Sequence, residues 1–156
     1  MKKIGEYTAR GIVTETQTEA GEPQKIPLFD GKFDTAYRVT GFKIWSSHYD
    51  ASSSPDVIGK LSKNAIGTTS AANFMRADDD NQIAWAASAG AADSGLGWGE
   101  ESIIDLDNLI VEDLYVYARS SNAAANVNYL VTMEKYEISD WKGALSMARD
   151  RAQGDL

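Results

Sequence analysis

The sequence has 156 residues, of which 43% are hydrophobic and 24% charged, with a net charge of −8, one histidine and no cysteine. This length suits one domain with a full hydrophobic core, and the composition excludes a wholly disordered chain. The negative charge repels phosphate backbones and anionic lipid surfaces, and the basic residues are scattered. No direct nucleic-acid binding and no membrane association are therefore expected.

Without thiols the chain cannot form disulfides, use thiol catalysis or build a cysteine-based zinc site, and it is compatible with a reducing cytoplasm. Met1-Lys2-Lys3 begins like a secretion signal, but Glu6 and Arg10 interrupt any apolar stretch behind it. No run approaches the roughly 18 apolar residues of a membrane span.

Short strands between small-residue loops are predicted along most of the chain. Tyr7 to Glu15 reads as a first strand, rich in threonine, with Ile12 on the opposite face from Tyr7, Ala9 and Val13. After a polar loop from Gln17 to Pro23, Lys25 to Phe29 reads as a short strand. Pro27 lacks a donor N–H and marks it as an edge. Together these two are expected to form a hairpin.

Thr35 to Ser46 is the third strand. Tyr37 and Val39 alternate on one phase, Phe42 and Ile44 on the other, and the phase changes at Gly41. One extra residue, a β-bulge, produces that change. Val57 to Ser62 is strand-like, one helical turn is expected around Ala71 to Met75, and Gln82 to Ala87 is a further strand with Ile83, Trp85 and Ala87 on one face. Trp45 and Trp85 are expected in the core. A Gly/Ala-rich loop, Ala89 to Glu101, leads to a short strand at Ser102 to Ile104.

Leu109 to Arg119 and Val127 to Ile138 are the strongest strands, and their short connection predicts a second hairpin. Both carry apolar or aromatic residues on both faces. Leu114, Val116 and Ala118 oppose Tyr115 and Tyr117, while Tyr129, Val131 and Met133 oppose Leu130. A sheet with one wet face would alternate apolar and polar residues. The second face therefore packs on another subunit, lies under the terminal helix, or leaves its tyrosine hydroxyls in water.

The period then changes. Trp141, Ala144, Leu145 and Ala148 fall at i, i+3, i+4 and i+7, which predicts a helix capped by Ser139 or Asp140 and stopped at Gly154. The expected fold is all-β: a jelly-roll-like antiparallel β-sandwich over residues 1–138, with a C-terminal α-helix and tail over 139–156 in the same domain.

No catalytic, cofactor-binding or metal-binding residue emerges. His48 has no nucleophile elbow to serve, because no Gly-x-Ser-x-Gly sequence exists. Asp78, Asp79 and Asp80 offer oxygens to calcium, but Ile83 and Ala89 stand where an EF-hand needs Gly and Glu, so whether they bind calcium stays open. Asp105 and Asp107 read as turn formers. Glu100 and Glu101, like Glu112 and Asp113, are strand neighbours that point to opposite faces rather than across a cleft. Gly95-Leu96-Gly97-Trp98-Gly99 lacks the Lys and Ser/Thr of a phosphate loop. Trp98 at its tip is an aromatic surface for a sugar.

The stretch from Ser102 to Trp141 carries a pattern of Asp105-Leu106-Asp107-Asn108, Asp113-Leu114-Tyr115-Val116-Tyr117, Val127-Asn128-Tyr129 and Met133-Glu134-Lys135-Tyr136-Glu137-Ile138. It resembles small structural proteins encoded in marine and other phage genomes, and Tyr37 to Trp45 and Gly59 to Ser62 extend the likeness. The resemblance implies a non-enzymatic structural subunit of the virion, capsid or capsid-associated, assembled in the host cytoplasm. Its partners would be copies of itself, as a homo-oligomer, and other virion proteins. Tyr115, Tyr117, Trp141 and Leu145 are the candidate contacts. A carbohydrate-binding sandwich for host attachment, using Trp98, is the alternative.

Overall fold

The computed structural model describes residues 1–48, 55–65, 74–89, 99–121, 125–139, 142, 145, 146, 148 and 149. Within them the chain runs β1 (Lys2–Val13), α1 (Glu15–Ala20), β2 (Gln24–Ile26), β3 (Thr35–Ser46), β4 (Val57–Ser62), β5 (Gln82–Ala89), β6 (Gly99–Ile104), β7 (Leu114–Ser120) and β8 (Val127–Glu137). The strands form two antiparallel sheets, one of three strands in the order β1-β8-β3 and one of five in the order β2-β7-β4-β5-β6.

The inward side chains of the two sheets share one core. Val13, Val39, Phe42, Ile44, Val127, Val131 and Met133 come from the three-stranded sheet. Val57, Leu61, Ile83, Ala84, Leu114, Val116 and Ala118 come from the five-stranded one. The protein is thus an all-β sandwich. The approach is close at Gly59, where a Cβ would stand 3.2 Å from Ile44 Cδ1 across the gap.

The bulge expected in β3 is present: the register to β8 shifts between Val39 and Gly41. The extra residue returns Phe42 and Ile44 to the same inner face as Val39, so all three are buried in one core. A second shift, opposite Gln82–Ala84 in β5, separates residues expected to share a face. Ile83 is buried in the core, whereas Trp85 is half-buried, and its indole N–H donates to Gln82 Oε1. Trp45 is also half-buried; its register partner Asn128 alternates with core Val127 and Tyr129, so it sits on the outer face. The two tryptophans expected in the core therefore flank it.

Both expected hairpins are absent. β1 pairs with β8 and β2 with β7, in different sheets, and β7 and β8 are likewise divided between the sheets. Short connections favour neighbours in space, but here each spans the sandwich from one layer to the other. β7 lies between β2 and β4, and β8 between β1 and β3, so each strongly apolar strand has ladders on both sides and is interior to its own sheet. That placement satisfies two-faced strands without pairing them to each other.

The Gln17–Pro23 stretch is not wholly loop. Gln17 Oε1 accepts from the backbone N–H of Thr14 at 2.9 Å, closing the first turn of α1, and Gly21 ends it in the left-handed region at φ 70. Residues Leu109 to Asp113 are not strand. Instead Ile110 crosses to the three-stranded sheet and exchanges two 2.8 Å backbone hydrogen bonds with Tyr37. Beside this bridge Ala36, Val111 and Ile138 form a small second core. Of the predicted turn at 71–75, only Phe74 and Met75 are described. Of the predicted terminal helix, Lys142, Leu145, Ser146, Ala148 and Arg149 have helical backbone, while Trp141 and Ala144 lie outside the described residues.

Candidate functional site

The outer face of the five-stranded sheet gathers the polar groups of greatest chemical interest. Strand alternation puts Leu61 and Val116 inward and their neighbours Lys60 and Tyr117 outward. Lys60 and Tyr117 are register partners. Outward does not mean exposed: both are only 1% accessible, with Phe74 beside the Lys60 ammonium and Asn64 beside the Tyr117 hydroxyl. Phe74 is itself buried, and Lys60 Nζ donates to its carbonyl at 2.7 Å.

The ammonium also lies 4.5 Å from the Phe74 ring centre and 5.0 Å from that of Tyr117, and the Arg119 guanidinium lies 5.6 Å from the Phe74 ring. Two aromatic faces thus replace part of the solvation the cation has lost. Burial lowers the Lys60 pKa, the charge of Asp79 opposes this, and Arg119 adds to it. Burial pushes the Tyr117 phenol up to about 12, helped by Tyr115 and Asp79.

This arrangement corrects one expectation. Tyr117 is a candidate subunit contact in the sequence, yet its side chain is buried within the chain itself, with its hydroxyl donating to Asn64 O at 3.5 Å. It is not available to another subunit. Tyr115 is half-buried and Leu145 is 56% exposed. Trp141 and the alternative sugar platform Trp98 lie outside the described residues.

The acidic turn faces a polar cavity of about 270 Å³ at the end of this sheet. Its lining includes Asp79, Asp80, Asp105, Asn108, Lys63 and Arg149. Asp78 stands apart, held by Arg76 through bonds of 2.9 and 2.6 Å that lower its pKa. Asp79 accepts from the Asn81 backbone N–H at 3.0 Å and from Gln82 Nε2 at 3.2 Å. Asp105 accepts from the Asp107 N–H at 3.0 Å and from the Asn108 side chain, as a turn former does. Among the described residues no three His, Asp or Glu side chains are placed to hold one metal ion.

A second depression of about 470 Å³ lies between α1 and the end of β7, lined by Thr18, Glu19, Asp56, Ile58 and Arg119. His48 is exposed at the end of β3 and lines neither cavity. Glu100 approaches Lys43 at 3.9 Å. Asp113 binds the segment after β2: its Oδ1 accepts from the N–H groups of Leu28 at 2.9 Å and Phe29 at 3.2 Å, and Oδ2 meets Lys25 at 3.1 Å.

The buried lysine escaped the sequence reading. Val57 to Ser62 shows one lysine in an apolar strand, a pattern that ordinarily puts the charge in water. Among the described residues Phe74, 14 residues later, packs against its ammonium. Compared with protein-family models, with curated proteins and with solved structures, the chain matches none of them.

Proposed function

We propose that the chain is a non-enzymatic structural subunit of a phage particle, built on a jelly-roll sandwich with a C-terminal helix. It acts by self-assembly with its own copies and other virion proteins in the host cytoplasm. The strand order carries the fold half of this reading. A jelly roll is a long antiparallel hairpin rolled up, so that strand one meets eight, two meets seven, three meets six and four meets five. β1–β8, β2–β7 and β4–β5 pair in that way. β6 departs from it by adding to β5, but Ile110, a few residues beyond β6, bridges to Tyr37 of β3 on the edge where a sixth strand would lie.

A fold does not select a function. The functional half is supported by the resemblance of Ser102 to Trp141 to phage structural proteins. Electron microscopy of the purified protein in negative stain is the test. Rings, shells or sheets of repeated subunits are the expected outcome. A field of single small particles under every ionic condition tried would contradict the reading.

A further inference from the structure

The two sheets end in four edges, and they differ in how open they are. β2 has three residues and is followed by Pro27. β3 is engaged by Ile110 at Tyr37. β6 has six residues. β1 has 12, and among the described residues it is laddered on one side only, to β8. Its one irregularity lies between Lys3 and Gly5, which leaves Gly5 to Val13 as a regular edge. Protein edges are usually guarded by proline, bulges, shortness or like charge. Gly5 to Val13 contains no proline, and its two charges, Glu6 and Arg10, are opposite in sign.

We propose that β1 pairs antiparallel with β1 of a second copy of this chain, about a twofold axis through Thr8, continuing the three-stranded sheet into one of six strands. The inference gives the self-assembly proposed above a named surface. It rests on that reading for its purpose, not for its geometry.

A twofold axis normal to the sheet keeps each face on its own side. Opposed residues must share a face, and residues on one face are an even number apart. The axis must therefore pass through a residue, which leaves a few candidates. An axis at Glu6 or Arg10 sets like charges against each other. At Tyr7 it sets Ile4 against Arg10, and at Ala9 it sets Glu6 against Ile12.

At Thr8 alone the two charges of the regular edge pair with each other. Within the regular edge Glu6 meets Arg10 twice, Gly5 meets Gly11, Tyr7 meets Ala9, and Thr8 meets itself. Opposite charges and threonine pairs are both favourable across strands. Glu6, Thr8, Arg10 and Ile12 stand opposite Glu134, Thr132, Leu130 and Asn128 of β8, on the outer face. The pairing also gives a neighbour to Tyr7, which is 45% exposed in the single chain.

Because the chain has no cysteine, one substitution tests the axis. Thr8→Cys, oxidised in the otherwise native chain, is expected to give a covalent dimer far faster than Ile103→Cys, an exposed site on β6 that controls for random collision. Glu6→Arg and Arg10→Glu should each weaken dimerisation roughly tenfold, since each pair occurs twice, and the double variant should restore it. A general loss of fold would not be rescued by exchanging the charges. Cross-linking of Thr8→Cys no faster than of Ile103→Cys, or failure of the double variant to recover, would overturn the inference. Larger assemblies of the oxidised Thr8→Cys chain in which Thr8→Cys does not cross-link would overturn it and leave the particle reading standing; a cross-linked dimer that never grows further would do the reverse.

Discussion

Gly41 and Thr132 face each other across β3 and β8 so closely that a Cβ on the glycine would overlap Thr132 Oγ1. The contact sits at the bulge that keeps Tyr37 and Val39 in phase with Phe42 and Ile44. Gly41→Ala should destabilise the protein by about 1–3 kcal/mol through overpacking. Thr132→Ala removes the obstructing hydroxyl, so the double variant should recover most of the loss. A double-mutant cycle in urea measures the coupling, and additive effects would mean the glycine is there for another reason.

Lys60 and Tyr117 make stability depend on alkaline pH in opposite directions. The folded pKa of Lys60 lies below 10.5. Between those two values the unfolded chain holds a proton that the folded chain lacks, so stability rises with pH across that window. Tyr117 is raised from 10.0 to about 12. Between those values the unfolded chain gives up its proton first, and stability falls. Lys60→Met should abolish the rise and keep the fall. Near pH 7 its stability should lie within about 1 kcal/mol of the native protein, because an apolar replacement relieves desolvation while losing the bond to Phe74. Denaturation at a series of pH values checks both slopes.

Asp113 should control acid stability. Burial pulls its pKa up, but the N–H groups of Phe29 and Leu28 and the Lys25 ammonium outweigh that and hold it below the usual carboxylate value. A depressed carboxylate stabilises fully above its unfolded pKa, and the contribution disappears as pH falls through the folded value. Asp113→Ala leaves two N–H groups without their acceptor and should cost about 1–3 kcal/mol at pH 7. Asp113→Asn, which keeps an acceptor oxygen, should cost less and flatten the acid limb. Equal losses in both variants would show that the charge alone matters.

The strands and the bulge were legible because each rests on local period: Phe42 and Ile44 announce their change of phase in the sequence itself. Strand partners were not legible. The short link from β7 to β8 looks like a hairpin, yet it crosses between sheets, and nothing within either strand distinguishes the two outcomes. The misplacement of Trp85 has the same origin. A shift opposite Gln82–Ala84 turns Ile83 inward and Trp85 outward, and no glycine marks it as Gly41 marks the other. The acids were correctly read as turn formers at Asp105, while the packing of Phe74 on Lys60 is a contact across 14 residues that no periodicity reports.

Light scattering on the native chain after size exclusion, over a concentration series, tests the central claim of self-assembly most directly. The account predicts a mass that rises with concentration from one chain to two and then to a larger closed multiple. A mass of one chain at every concentration would contradict it.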